Sequence, residues 1–139
     1  MARLRYLVDT SAFARLDQSR VAAVIAPLVA AREAALCAPV AFELGYSARS
    51  AADHAELADR LHAFPMAPVT DADHERALEL QGLLAERGQH RALSLVDALV
   101  AAVAETRDLT ILHYDADFEL VSDLTGQPHE WVVERGTAD

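Results

Sequence analysis

Short, wholly apolar runs alternate along this chain with longer stretches in which apolar residues recur every three or four positions. Residues 4–8, Ala35 to Ala38, Leu109 to Tyr114 and Glu130 to Val133 read as short buried strands. A further extended piece, bracketed by Pro65 and Pro68, ends at Val69. Between these runs, helical spacing extends from about Ser11 to Leu16, from Arg20 to Ala35, from Val40 to about Arg49 and from Asp53 to Phe64. Pro39 suits the first turn of the third of these helices. Thr70 and Asp73 have the spacing of a capping box, opening a helix whose Ala77, Leu80 and Leu84 face the core and which Gly88 ends. Leu93 to Thr106 is apolar on nearly every side, as a buried helix is, and Asp117–Leu124 makes one more short helix. Short apolar strands alternating with helices predict an α/β three-layer sandwich: a short parallel β-sheet with helices on both faces.

Four acids interrupt this pattern. Asp9 ends Tyr6-Leu7-Val8, Glu43 lies within Pro39-Val40-Ala41-Phe42-Glu43-Leu44, Asp97 sits inside Leu95-Val96-Asp97-Ala98-Leu99-Val100, and Asp115 closes Leu109 to Tyr114. Ionised carboxylates are almost never buried unless paired or bound to metal. Each has an ordinary structural explanation. Asp9 could cap a helix, Glu43 could face solvent, Asp97 could close a capping box with Ser94, and Asp115 with Asp117 could form a turn. One arrangement uses all four. In a parallel sheet every strand C-terminus opens on the same edge, so Asp9 and Asp115 can converge there, with helices aiming Asp97 and Glu43 into the same cleft. Two carboxylates ~4 Å apart repel by about 4 kcal/mol at an effective dielectric of ~20, so such a cluster protonates or binds a cation. Oxygen ligands without clustered Cys or His favour Mg²⁺, with Mn²⁺ as a substitute, and a hard divalent ion suits phosphodiester chemistry.

Composition narrows the picture. At 139 residues the chain is of single-domain size, spanning 1–139. With 29 alanines and 6% aromatics, it favours closely packed helices over a β-sandwich. One cysteine, Cys37, excludes an internal disulfide and fits a reducing compartment. Asp9 arrives before a signal-peptide core can form, and no uncharged apolar stretch approaches membrane-spanning length, so a soluble, cytoplasmic protein is expected. The net charge of −10 opposes general polyanion binding, and no bulk DNA binding by this chain alone is expected. Metal bound at the acids would offset part of that charge where a phosphate sits.

Val8-Asp9-Thr10-Ser11-Ala12-Phe13, Glu43 in the helix after the second strand, Asp97-Ala98-Leu99-Val100-Ala101-Ala102, and Ile111-Leu112-His113-Tyr114-Asp115-Ala116-Asp117-Phe118 occur in an order that resembles the PIN-domain ribonucleases, specifically the VapC-type toxins of bacterial toxin–antitoxin pairs. The resemblance covers nearly the whole chain. It implies a PIN-like fold, with Asp9, Glu43, Asp97 and Asp115 catalytic and metal-binding and Asp117 completing or orienting the set. It implies a Mg²⁺-dependent endoribonuclease cutting structured RNA such as tRNA, a homodimer, and a cognate antitoxin that inserts a segment into the cleft. Ser11 is a candidate for hydrogen bonding to a ligand or the scissile phosphate. Many relatives carry a hydroxyl residue where His113 stands, and His113 reads as a strand residue packed near the site rather than a proton-transfer group.

Rival readings are weaker. Receiver domains need a Lys at the phosphoryl group, and all 12 basic residues here are Arg. A haloacid-dehalogenase-like phosphatase needs a second Asp two positions after the first, and only Asp9 is available there. Ser11, Thr10 and Ser94 lack a His placed by sequence to activate them as nucleophiles. A PIN-fold binding module without nuclease activity, acting through protein partners, is the non-enzymatic alternative.

Overall fold

The computed structural model describes residues 3–139. Five parallel strands form one sheet in the order β3-β2-β1-β4-β5: β1 (Tyr6–Val8), β2 (Ala34–Cys37), β3 (Met66–Ala67), β4 (Thr110–His113) and β5 (His129–Trp131). Every residue of β1 and β2 is buried. Successive strand residues point to opposite faces, so both faces of the sheet are covered, which makes the predicted sandwich. The helices are α1 (Thr10–Phe13), α2 (Ser19–Ala30), α3 (Ala38–Tyr46), α4 (Ala51–Leu61), α5 (Asp71–Glu86), α6 (Leu95–Thr106) and α7 (Asp117–Thr125). Among the described residues no helix is long and apolar enough to cross a membrane.

The strand order reverses between β1 and β4: the chain runs outward through β2 and β3, then returns to the other side of β1. A crevice opens beyond the strand C-termini at such a switch point. The pairing Val8↔Leu112 puts Asp9 and His113 next in register at that edge. α6 supplies the long wall of the core: Asp97 through Ala104 is an unbroken buried stretch. Alanines allow close approach to α5, where Ala77, Ala98, Leu99 and Ala102 form a second small cluster.

Element boundaries shift from the sequence pattern, and the largest shift has an identifiable reason. The helix expected to run from Arg20 to Ala35 stops at Ala30, because Arg32 takes a left-handed conformation (φ 56°) and the Glu33 N–H turns back to the Leu28 carbonyl. A Schellman closure of this kind normally signals itself with glycine, as Gly88 does after α5. The expected α1 extension to Leu16 ends at Phe13 and continues as turns.

The Thr70–Asp73 capping box is complete: the Asp73 N–H donates to Thr70 Oγ1 (3.3 Å) and the Thr70 N–H donates to Asp73 Oδ2 (2.9 Å). Asp73 is itself fully buried, accepting also from the Thr106 hydroxyl (2.7 Å) and Arg107 Nη1 (3.1 Å). Burial pushes its pKa up, but these donors outweigh burial and hold it below the usual carboxylate range. Asp73 therefore pins the start of α5 to the end of α6 as an ionised, fully partnered acid. The Tyr6 hydroxyl of β1 donates to Glu130 of β5 at 3.2 Å.

Candidate active site

Asp9 follows β1 directly and caps α1. Its Oδ2 accepts from the Ser11 N–H (3.0 Å) and the Ser11 hydroxyl (2.6 Å). The capping explanation of Asp9 is thus correct for one oxygen and silent about the other. Oδ1 is buried with no hydrogen-bond partner among the described residues, and so is the neighbouring Thr10 hydroxyl. Burial raises the Asp9 pKa, Ser11 counters part of that rise, and the nearby Asp115 charge adds to it.

Asp97 is the third residue of α6. Its N–H donates to the Ser94 hydroxyl at 3.1 Å, but its carboxylate makes no return bond to the cap. The capping box is half formed, and the free carboxylate turns to the strand edge. There one oxygen each from Asp97, Asp115 and Asp117 lie within 4.8 Å of one another. Burial first, then the charges of Asp9 and Asp115, push Asp97 from an ordinary pKa near 3.8 up to about 7. Asp117 is likewise raised by burial and by Asp115. Asp115 stands at the end of β4 and accepts the Asp117 N–H at Oδ1 (2.9 Å), which fixes the spacing of the Asp-x-Asp pair.

Glu43 stands apart from this group. It lies on α3, half-buried, lining an apolar groove of about 940 Å³ between α3, α4 and α6 together with Phe42, Tyr46, Leu95, Val96 and Leu99. Phe42 (81% exposed), Tyr46 (92%) and Leu95 (75%) leave a large apolar surface in solvent beside the acids.

Ser11 is an internal tie. Its only hydroxyl proton goes to Asp9 while the oxygen accepts the Tyr114 N–H at 2.8 Å, joining α1 to the end of β4. The two roles expected of Ser11 are hydrogen bonding to a ligand or to the scissile phosphate, and its hydroxyl hydrogen is given to Asp9, a candidate metal ligand. His113 is fully buried, as its strand position implied, and its Nδ1 accepts the Asp115 N–H at 3.0 Å. That bond requires an unprotonated Nδ1, so Nε2 carries the hydrogen and donates to His129 Nδ1 at 2.8 Å. Burial and the adjacent His129 lower the His113 pKa to about 3, so the ring is neutral. The His129 partnership had no signature in the sequence, because it depends on the register of β5 against β4.

The residues at this edge fit a hard divalent ion. The donors are carboxylate oxygens, one is a buried orphan, and like charges press on each other. The family model of the PIN domain matches residues 6–124. The chain belongs to the PIN-domain family. Ribonuclease VapC51 of Mycobacterium tuberculosis is 43% identical over 136 residues, spanning 98% of this chain and 98% of the relative. Ribonuclease VapC21 of the same species is 40% identical over 135 residues, spanning 96% and 98%. DNA-bound VapBC from Salmonella typhimurium shares the fold, with a TM-score of 0.79 and 16% identity over 94% of this chain and 99% of that one. VapBC2 from Rickettsia felis, bound to a promoter DNA fragment, superposes with a TM-score of 0.77 at 16% identity, covering 92% and 99%. In this PIN domain Asp97, Asp115 and Asp117 gather at the switch-point crevice of the sheet near Asp9, with Glu43 on the adjoining groove wall.

Proposed function

We propose that this PIN domain is a Mg²⁺-dependent endoribonuclease, the toxin of a type II toxin–antitoxin pair, acting on structured RNA such as a tRNA and leaving 5′-phosphate and 3′-hydroxyl ends. The observation that carries this reading is the convergence of Asp97, Asp115 and Asp117 oxygens within 4.8 Å, beside the orphaned Oδ1 of Asp9. Those four acids would hold the cation, with Glu43 joining from α3. Bound there, Mg²⁺ or Mn²⁺ would polarise the scissile phosphate and activate water for in-line attack. The protein's own contribution is orientation. Ser11 occupies Oδ2 of Asp9 and leaves Oδ1 for the ion, and the half-formed cap of α6 leaves the Asp97 carboxylate free. The VapC ribonuclease names of full-length relatives support the activity, and VapBC neighbours support an antitoxin partner.

The apolar groove supports the way that partner binds. An amphipathic helix would cover Phe42, Tyr46 and Leu95, and an Arg or Lys beyond it would pair with the acids where metal sits. A homodimer is the further partner state we propose. Purified, partner-free protein incubated with a tRNA panel tests the enzymatic reading. Cleavage should require Mg²⁺ or Mn²⁺, stop in EDTA, and disappear in Asp9→Asn while the fold persists. No cleavage at any divalent concentration would leave the binding-module alternative standing, and undiminished cleavage by Asp9→Asn would remove Asp9 from the catalytic set.

A further inference from the structure

We propose that the tail segment Gly136–Asp139 is a clasp that positions the acid cluster, acting through the Tyr114 hydroxyl and the Arg15 guanidinium. The Tyr114 hydroxyl uses its whole bonding capacity on this segment. It accepts the Gly136 N–H (2.8 Å) and the Ala138 N–H (2.9 Å), and it donates to Asp139 Oδ1 (2.8 Å). The Ala138 carbonyl in turn accepts Arg15 Nε (3.0 Å) and Gln18 Nε2 (3.1 Å). Gly136, at φ +86°, lets the chain turn back into this slot, and Ala138 is buried within it.

Both ends of the clasp lead to the acids, through Ser11 on one side and directly along the chain on the other. Arg15 lies 4.6 Å from the Tyr114 ring centroid and donates through Nη1 to the Ser11 carbonyl at 2.8 Å. Ser11 holds Asp9, and Tyr114 immediately precedes Asp115. At the strand edge itself, beyond the β1–β4 ladder, the described hydrogen bonds that join the two segments are the Asp9 N–H to the Leu112 carbonyl (2.9 Å) and the Tyr114 N–H to Ser11 (2.8 Å). Two like charges at the mouth of that pairing push its strands apart. A brace fastened outside it, from the turn after α1 across the tail to the end of β4, resists that opening and holds Asp9 near Asp115 and the group that Asp115 forms with Asp97 and Asp117. Partners of this outer kind tune metal affinity without touching the ion.

The metal arm of the test rests on the nuclease reading, and the exchange arm does not. Tyr114→Phe removes the hydroxyl while keeping the ring, and deletion of residues 136–139 removes the whole clasp. Both variants should raise the Mn²⁺ dissociation constant of the RNA-free protein by roughly tenfold, measured calorimetrically, while the RNA KM at saturating metal stays within about twofold. Without metal, amide exchange at Ser11 and Tyr114 should accelerate, with Leu36 on β2 unchanged. Thr106→Val is the control: it weakens the Asp73 network at the other end of α6 and lowers the melting temperature, but should move neither readout. Unchanged exchange at Ser11 and Tyr114 in both variants would overturn the clasp, as would Thr106→Val weakening Mn²⁺ equally. Should the wild type bind no Mn²⁺, the nuclease reading fails and the exchange result alone decides the clasp.

Discussion

Replacing Asp97 with Asn should stabilise the metal-free protein, and the size of the effect follows from the environment of the carboxylate. Asp97 is only 8% exposed, so solvent screens its neighbours little. Burial and the charges of Asp9 and Asp115 move its pKa from near 3.8 to about 7. At 1.36 kcal/mol per pH unit, the ionised side chain then weakens the fold by up to about 4 kcal/mol at neutral pH. An acid with a raised folded-state pKa has its stability intact below about pH 4 and loses it as pH climbs through 7. Asn carries no charge and nearly the same volume, although its amide must find partners in the same crevice. A net gain of about 2–4 kcal/mol is expected at pH 7.5, or roughly 7–14 °C for a chain of 139 residues.

Melting curves in EDTA from pH 4 to pH 8 test this. The wild-type curve alone is ambiguous, because buried His113 has the opposite slope. Its pKa near 3 gives stability that is complete above its ordinary value of 6.5 and is lost toward acid. The difference between Asp97→Asn and wild type cancels that contribution. It should be near zero at pH 4 and grow steadily to pH 7. A variant less stable than wild type at pH 7.5, or a difference that does not change with pH, would refute the electrostatic reasoning and favour a simple helix-start role for Asp97.

Two further outcomes follow from the same crowding. Saturating Mg²⁺ or Mn²⁺ should raise the wild-type melting point more than monovalent salt of equal ionic strength, by about 2.7 kcal/mol of stability at ~100 times the dissociation constant; equal melting curves with and without the divalent ion would contradict a preformed site. An antitoxin whose basic side chain occupies the acids should bind more weakly in saturating Mg²⁺ than in EDTA, and a titration showing identical affinity in both would exclude that mode of inhibition.

Much of the site was legible because three of its acids sit in or beside apolar runs whose geometry is nearly obligatory. A residue just past a buried parallel strand emerges at the C-terminal edge, so Asp9, directly after β1, and Asp115, two residues after β4, had little freedom. Glu43 was harder to place, because a helix of nine residues can present it to the crevice or to the groove beside it, and the spacing is the same for both. Contacts that depend on register or on chain return left no local trace. His129 reaches His113 only once β5 pairs with β4, and Tyr114 reads as an ordinary strand-end aromatic until the tail folds over it. The end of α2 was hidden for another reason: Arg32 adopts the backbone conformation that glycine usually advertises.

The sharpest contrast lies between two hydroxyl-x-x-Asp segments that look equivalent in sequence. In Thr70-Asp71-Ala72-Asp73 the buried acid returns a bond to its cap and gains Thr106 and Arg107 besides. In Ser94-Leu95-Val96-Asp97 the acid accepts nothing from its cap. The described ion pairs carry this further: Arg5 with Glu33, Arg76 with Glu79 and Glu105, Arg107 with Asp73, and Arg135 with Glu119 leave Asp9, Asp97, Asp115 and Asp117 without a cation partner among the described residues. Arg15 passes close by, yet its donors go to the Ser11 and Ala138 carbonyls. A fold that pairs one buried carboxylate with an arginine, and offers four crowded ones hydrogen bonds at most and no cation among the described residues, has left their charge for a ligand to answer. That asymmetry predicts an outside cation, whether a divalent ion or a partner's basic side chain, more directly than the number of acids in the chain does.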